Sequence, residues 1–283
     1  MDCFFITRFS LRIPEYEQKI GLTDAERNEW FKYRSRIFNS ATLKCAAAQT
    51  TKARRHFLLL DELDRDLYEE NIATPDFLVP IFTRRDLWVE DVSARIAQDC
   101  NGPALIARLD SDDLIARDYL EMLSACAATP EVTERASREG KVFLKARQGY
   151  ITDLNFIQRY FHDHPSFLAT YYPEFRDPLD LGGNHRFINS RNPVPCDNAE
   201  WARFVHGSNV ANDFKKRRVF RVTDNTWPAH IPFPDPEVSE ITKFPASGTH
   251  LKVKNDQRRL KLLSRPGGSV IVKIMAALQR HKR

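Results

Sequence analysis

Four short, almost wholly apolar runs constrain this chain more than any other feature. They are "CFFITRF" (3–9), "HFLLLDE" (56–62), "FLVPIFT" (77–83) and "ALIARLD" (104–110). A strand with one wet face alternates apolar and polar side chains, whereas a strand covered on both faces does not. Between the runs, "DAERNEWFKYRSRIFNSATLKCAAAQ" (24–49), "DRDLYEENIA" (64–73) and "DLWVEDVSARIAQDC" (86–100) carry helical patterns, each opening with an aspartate suited to an N-cap. Strand and helix thus alternate at least three times, and the economical arrangement is a mainly parallel, doubly wound sheet with helices on both faces.

The second half is less regular. "GKVFLKA" (140–146) reads as a further strand, but 170–198 is rich in Pro, Gly, Asn and aromatic residues, the composition of long loops that carry function. At 283 residues the chain has room for one large α/β domain with an appendage. The expected organisation is a catalytic domain over 1–235, with a donor-binding half (about 1–130) and an acceptor-side half (about 131–235), followed by a basic extension over 236–283. Charge is divided the same way. From Lys243 to Arg283 there are eleven Lys and Arg against one acid, Asp256, so a net charge of +5 conceals an acidic body.

The five cysteines are scattered and show no CxxC or Cys/His spacing for zinc, which points to reduced thiols in an intracellular setting. Neither a signal-peptide core nor a run of about 20 apolar residues is present. A cytoplasmic protein is expected. In "SVIVKIMAALQRHKR" (269–283), Val270, Ile271, Ile274, Met275 and Leu278 share a helical face beside Lys273, Arg280, Lys282 and Arg283. Such a helix suits a peripheral position on an anionic membrane, where a lipid-linked acceptor would be met, or equally docking on the core. No aromatic interleaving or motif marks a specific nucleic-acid partner.

The densest chemistry lies where the fourth run ends. Asp110, Asp112 and Asp113 fall within four positions, at a strand end where parallel sheets bind ligands. Three carboxylates repel one another, and a hard divalent cation, Mg²⁺ or Mn²⁺, is the simplest compensation, its other positions open to a diphosphate. The plainer alternative is that Ser111, Asp112 and Asp113 cap a helix "LIARDYLEML".

Together "ITRFS", "FLLLDE", "IARLDSDDLIARDYLE" and "WARFVHGSNVAND" (201–213) resemble the rhamnosyltransferase family of bacterial GT-A glycosyltransferases, over roughly residues 3–215. The resemblance implies a GT-A (Rossmann-like), mainly parallel sheet flanked by helices, and transfer of a sugar, rhamnose by the family's name, from a nucleoside diphosphate donor to a glycan or glycolipid acceptor in cell-surface polysaccharide synthesis. It implies that Asp110 and Asp112, with Asp113 alongside and His206 completing the set, hold the metal. Gly207, next to His206, would allow close backbone approach at that site, and Asp61 would contact the donor's base or ribose. Arg8 and Arg108 flank the strand ends and could neutralise phosphate charge. If the reaction inverts, a base must take the acceptor's proton; the candidates are Asp197, Glu200 and Asp180. Each of these has a structural use as well: Asp61 as an N-cap, the arginines as ion-pair partners of the cluster, His206 as a strand-end residue. Two other classes compete: a metal-dependent phosphohydrolase or nucleotidyltransferase, and a nucleotide-sugar-binding protein without turnover.

Overall fold

A computed structural model describes residues 1–11, 24–84, 86–162, 166–175, 179–180, 191–205, 220–221 and 227–235. The four apolar runs are strands β1 (Asp2–Arg8), β2 (Arg55–Asp61), β3 (Leu78–Thr83) and β4 (Ala104–Arg108). All are mutually parallel where they pair, in the spatial order β3-β2-β1-β4. The lack of alternation has the expected cause. In β1, Phe4 and Ile6 enter one apolar cluster and Cys3 and Phe5 another; in β2, Phe57 and Leu59 part from Leu58 and Leu60 in the same way. Helices cover both faces: α1 (Asp24–Ile37) and α3 (Arg65–Asn71) on one side, α4 (Trp88–Asp99) on the other. The fold is α/β, built on a mostly parallel sheet with flanking helices.

The long helix expected over 24–49 is found with a defect in its middle. After α1 the chain makes a π-helical segment, Phe38–Leu43, before α2 (Lys44–Ala47). Such a segment re-aims side chains within a helix, and here the Thr42 hydroxyl donates 2.9 Å to the carbonyl oxygen of Asp113.

Three further strands complete a seven-stranded sheet: β6 (Val142–Lys145), β9 (Leu168–Tyr172) and β10 (Val194–Pro195), in the order β10-β6-β9-β4-β1-β2-β3. Strand β9 is antiparallel to both β4 and β6. The sequence reading misses the second sheet, formed by β5 (Leu114–Ile115), β7 (Gln148–Thr152), β8 (Phe156–Phe161), β11 (Trp201–Phe204) and β12 (Phe220–Arg221) in the order β12-β8-β7-β11-β5. Its strands are short and interrupted by polar residues, so no long apolar run announces them. Trp201 holds it to the first sheet, stacking on Phe167 at 4.3 Å between ring centroids and donating from Nε1 to the Ala146 carbonyl at 2.8 Å. Gly149 makes room for this indole, since a Cβ there would lie 2.4 Å from the Trp201 ring.

Two expectations need correction. The segment after the acidic cluster is not a helix: Leu114–Ile115 is β5, paired antiparallel with Trp201–Ala202, and α5 (Tyr119–Ala127) begins only after Asp118. Helix capping therefore does not explain Asp112 and Asp113. The cysteines are not all free thiols either, because folding brings Cys126, in α5, to Cys196, whose Cα lies 6.1 Å away in a disulfide. Cys3, Cys45 and Cys100 are free. Sequence spacing does not reveal which distant cysteines meet. No helix among the described residues is long and apolar enough to cross a membrane.

Candidate functional site: the acidic turn after β4

The parallel strands β1, β2, β3 and β4 deliver their carboxyl ends to one edge of the sheet. Beyond Arg108 the chain passes through Leu109, whose N–H donates to the Ile6 carbonyl at 3.0 Å, and turns at Asp110 to Asp113, closed by Asp113 N–H to Asp110 carbonyl at 3.3 Å. The three carboxylates of this turn meet different fates. Asp112 Oδ2 accepts 2.8 Å from Arg34 of α1, which also donates to the Ser111 hydroxyl. Asp113 is buried, and its Oδ1 accepts the Phe204 N–H at 3.2 Å, tying the turn to the end of β11. Burial pushes the Asp113 carboxyl well above the ordinary carboxylate range; the Asp112 and Asp110 charges push the same way, against Arg203 and the Phe204 N–H. Asp110 is half-buried and its carboxylate has no hydrogen-bond or ion-pair partner among the described residues.

Among those residues no three His, Cys, Asp or Glu side chains are gathered into a cage for a metal ion. The donor set instead suits a hard ion in an open site. Mg²⁺ is commonly held by one or two carboxylates, with substrate phosphates and water completing its shell. Asp110 and Asp112 are the pair that fits this description. His206 lies outside the described residues.

The other strand-end residues are placed as follows. Arg8 is exposed at the end of β1, and Arg108 is buried opposite Ile6 of β1. Asp61 ends β2; its Oδ1 accepts the Leu63 N–H at 3.1 Å, capping a 3₁₀ turn, and its own N–H donates to the Ser10 hydroxyl at 3.3 Å. Of the three acids considered as bases, Asp197 follows β10 on the same edge as the turn and is bound by Arg147 through both oxygens. Glu200 precedes β11 and bonds Arg159, His230 and Tyr150. Asp180 is not brought to the turn: it packs against Tyr172, which pairs with Ala104 at the opposite end of β4, and it bridges Lys141 and Arg191.

Arg34 is the residue that sequence reasoning missed. Its one signal was position: Arg27 and Arg34 are seven apart and so share a face of α1. Arg27 bonds Asp64 and the Ser10 carbonyl, each at 3.0 Å, at the end of β2, while Arg34 bonds Asp112 after β4. A second pair, His56 and Thr7, supports the turn from below. Thr7 Oγ1 donates 2.7 Å to the Leu109 carbonyl and lies 2.8 Å from His56 Nε2, which must therefore be the donor to it.

No family model and no curated protein matches the chain. Among solved structures, a protein from Desulfovibrio desulfuricans G20 described as a nucleotide-diphospho-sugar transferase shares 10% identity at a TM-score of 0.32, over 72% of this chain and 81% of its own. S. aureus TarS (1–349) shares 11% at 0.34, over 72% and 60%. The 4-diphosphocytidyl-2C-methyl-D-erythritol synthase of Anaerococcus prevotii DSM 20548 shares 10% at 0.30, over 73% and 89%. Likenesses this faint carry no argument, and the functional reading rests on the turn itself.

Proposed function

We propose that this chain is a metal-dependent glycosyltransferase of GT-A type, moving a sugar, rhamnose on the sequence resemblance, from a nucleoside diphosphate donor to a glycan or lipid-linked acceptor. The observation that supports it is Asp110. A half-buried carboxylate without a partner among the described residues, beside two carboxylates already bonded within the protein, is open to a cation as its counter-charge. Its place at the carboxyl end of a parallel strand is where α/β sheets bind their ligands. Asp110 and Asp112 would hold Mg²⁺ or Mn²⁺, with Asp113 fixing the turn behind them and His206, four positions past Ala202, offered as a further ligand on sequence grounds. The ion, when bound, stabilises the charge that develops on the departing diphosphate. Arg34 keeps the Asp112 carboxylate in place, Arg8 and Arg108 flank the edge on which the diphosphate would lie, and Asp61 stands at the end of β2 for the nucleoside. The basic segment 236–283 lies outside the described residues; its sequence suits contact with an anionic surface, where a lipid-linked acceptor would be found, as well as docking on the core.

Titration calorimetry with UDP-, dTDP- and GDP-sugars, with and without Mn²⁺, tests this on the native protein and on Asp110→Asn. Metal-dependent binding of one donor, lost in Asp110→Asn while the thermal transition stays in place, is the expected result. Binding that ignores both metal and Asp110 would refute the assignment.

A further inference from the structure

The second sheet carries a group suited to proton transfer that the acidic turn leaves unused. Glu200 divides its carboxylate among three side chains: Oε1 accepts from Arg159 at 2.7 Å, and Oε2 lies 2.7 Å from His230 Nε2 and 3.3 Å from the Tyr150 hydroxyl. A carboxylate only accepts, so Nε2 carries the hydrogen, and the lone pair of the neutral ring sits on Nδ1. That nitrogen has no hydrogen-bond partner among the described residues, and the His230 side chain is 43% exposed, within reach of a substrate. Tyr150 stays protonated as a donor to the same carboxylate, since burial first and Glu200 second push its hydroxyl up to about 12. Three residues along the chain from His230, Phe233 is 44% exposed and packs against Trp227 at 4.7 Å between centroids.

The backbone ties this dyad to the acidic turn. Ala116 N–H donates to the Glu200 carbonyl at 3.0 Å, and Arg117 N–H to the His230 carbonyl at 2.8 Å. Consecutive residues thus position both halves of the dyad, and the segment they belong to starts at the turn. Arg117 lies four steps along the chain from Asp113, at most about 13 Å at a strand's rise.

We propose that His230 is the base that takes the acceptor's proton, and that Glu200 is the positioning residue that fixes its tautomer; the proposal rests on the glycosyltransferase reading. As the acceptor oxygen bonds to the anomeric carbon of the donor, its proton passes to His230 Nδ1. The bond from that carbon to the diphosphate oxygen breaks, and its electron pair leaves with the nucleoside diphosphate. The imidazolium formed faces the Glu200 carboxylate, with Arg159 of β8 on the far oxygen as the opposing charge and Tyr150 of β7 as the neutral neighbour, and returns its proton to water. Glu200 is one of the three acids, with Asp197 and Asp180, that the sequence offers as a base; here it holds the base rather than acting as one.

The test uses full-length protein with Mn²⁺ and UDP-glucose, dTDP-rhamnose and GDP-mannose, taking water or methyl glycosides as acceptors. Nucleoside diphosphate release is followed from pH 5 to 9, and donor binding is measured separately by calorimetry. His230→Gln, which keeps an N–H for Glu200, is expected to bind the donor within about twofold of native yet lose about 100-fold or more in kcat. Its rate should no longer fall on the acid side. Added imidazole should restore part of the rate of His230→Ala, and Glu200→Gln should lose less than His230→Gln. Native-like kcat and pH profile in His230→Gln would overturn the proposal. If no donor binds the native protein at all, the glycosyltransferase reading falls and takes this assignment with it.

Discussion

Lowering the pH from 7.5 to 4.5 is expected to cost the fold about 3 kcal/mol through one side chain, His56. This histidine, in β2, is fully buried among Phe5, Phe38 and Phe77, with ring centroids 5.5–6.4 Å away. Its Nε2–H donates to Thr7, and its Nδ1 lies buried without a hydrogen-bond partner. A proton added there would bring a charge into an apolar cluster, and burial lowers the His56 pKa from 6.5 to about 3. The unfolded chain takes up that proton near 6.5, so unfolding binds a proton between the two values. The stability His56 allows is therefore fully present above pH 6.5, is lost as the pH falls toward 3, and levels off below. Each pH unit in that window is worth about 1.4 kcal/mol, so the two units from 6.5 to 4.5 give about 3 kcal/mol, a large share of a typical domain stability of about 5–15 kcal/mol. Urea unfolding at pH 7.5, 6.5, 5.5 and 4.5 measures it, with His56→Gln as the partner, since glutamine keeps a donor for Thr7 but does not titrate. The native protein should lose stability faster than the variant on the way down. Asp113 contributes with the opposite sign, but equally in both proteins. Parallel pH curves would refute the reasoning, because they would mean that His56 is already protonated or solvated in the native state.

Three other perturbations bear on the architecture. Arg34→Met should destabilise the protein by about 3–5 kcal/mol in thermal or urea unfolding by breaking the buried Arg34–Asp112 ion pair, and Arg34→Met with Asp112→Asn should recover part of the loss. Gly149→Ala should cost about 1–3 kcal/mol, since its Cβ would meet both the Trp201 ring and the Trp201 carbonyl oxygen at 2.4 Å; an unchanged urea midpoint would contradict that packing. Reducing the Cys126–Cys196 bond, which joins residues 70 apart, should lower stability by about 4 kcal/mol on the chain-entropy account, and a non-reducing peptide map should recover the two linked peptides.

What the sequence made legible follows from where its signals lie. Strands β1 to β4 are buried on both faces, so each had to be written as an apolar run, and the boundaries read from those runs fall within two residues of the observed ones. Strand β11 carries the same kind of burden in four residues, "WARF", with an arginine in the third position, and β7 contains a glycine that only its contact with Trp201 explains. Local pattern cannot show a strand whose reason is a neighbour 52 residues away, as Gly149 is from Trp201. The same limit applies to the candidate site. Asp110, Asp112 and Asp113 could be read because they are adjacent in the chain. Their partners, Arg34 and the Phe204 N–H, are separated from them by 78 and 91 residues, and helix-forming positions 114–118 looked helical because "LIARD" has nothing local against it.

The bond from Phe204 to Asp113 also sets an order in time. A chain emerging from the ribosome presents the acidic turn early, with β1, β2 and β3 already available to receive β4. Strand β11, which closes the turn and pairs with β5, is made 91 residues later. At about 5–20 residues per second, that leaves the three carboxylates waiting roughly 5–18 s for the backbone that orders one of them. A nascent or truncated chain ending before Trp201 would keep the acidic residues and lack the strand that arranges them, so that competence at this turn comes late in synthesis.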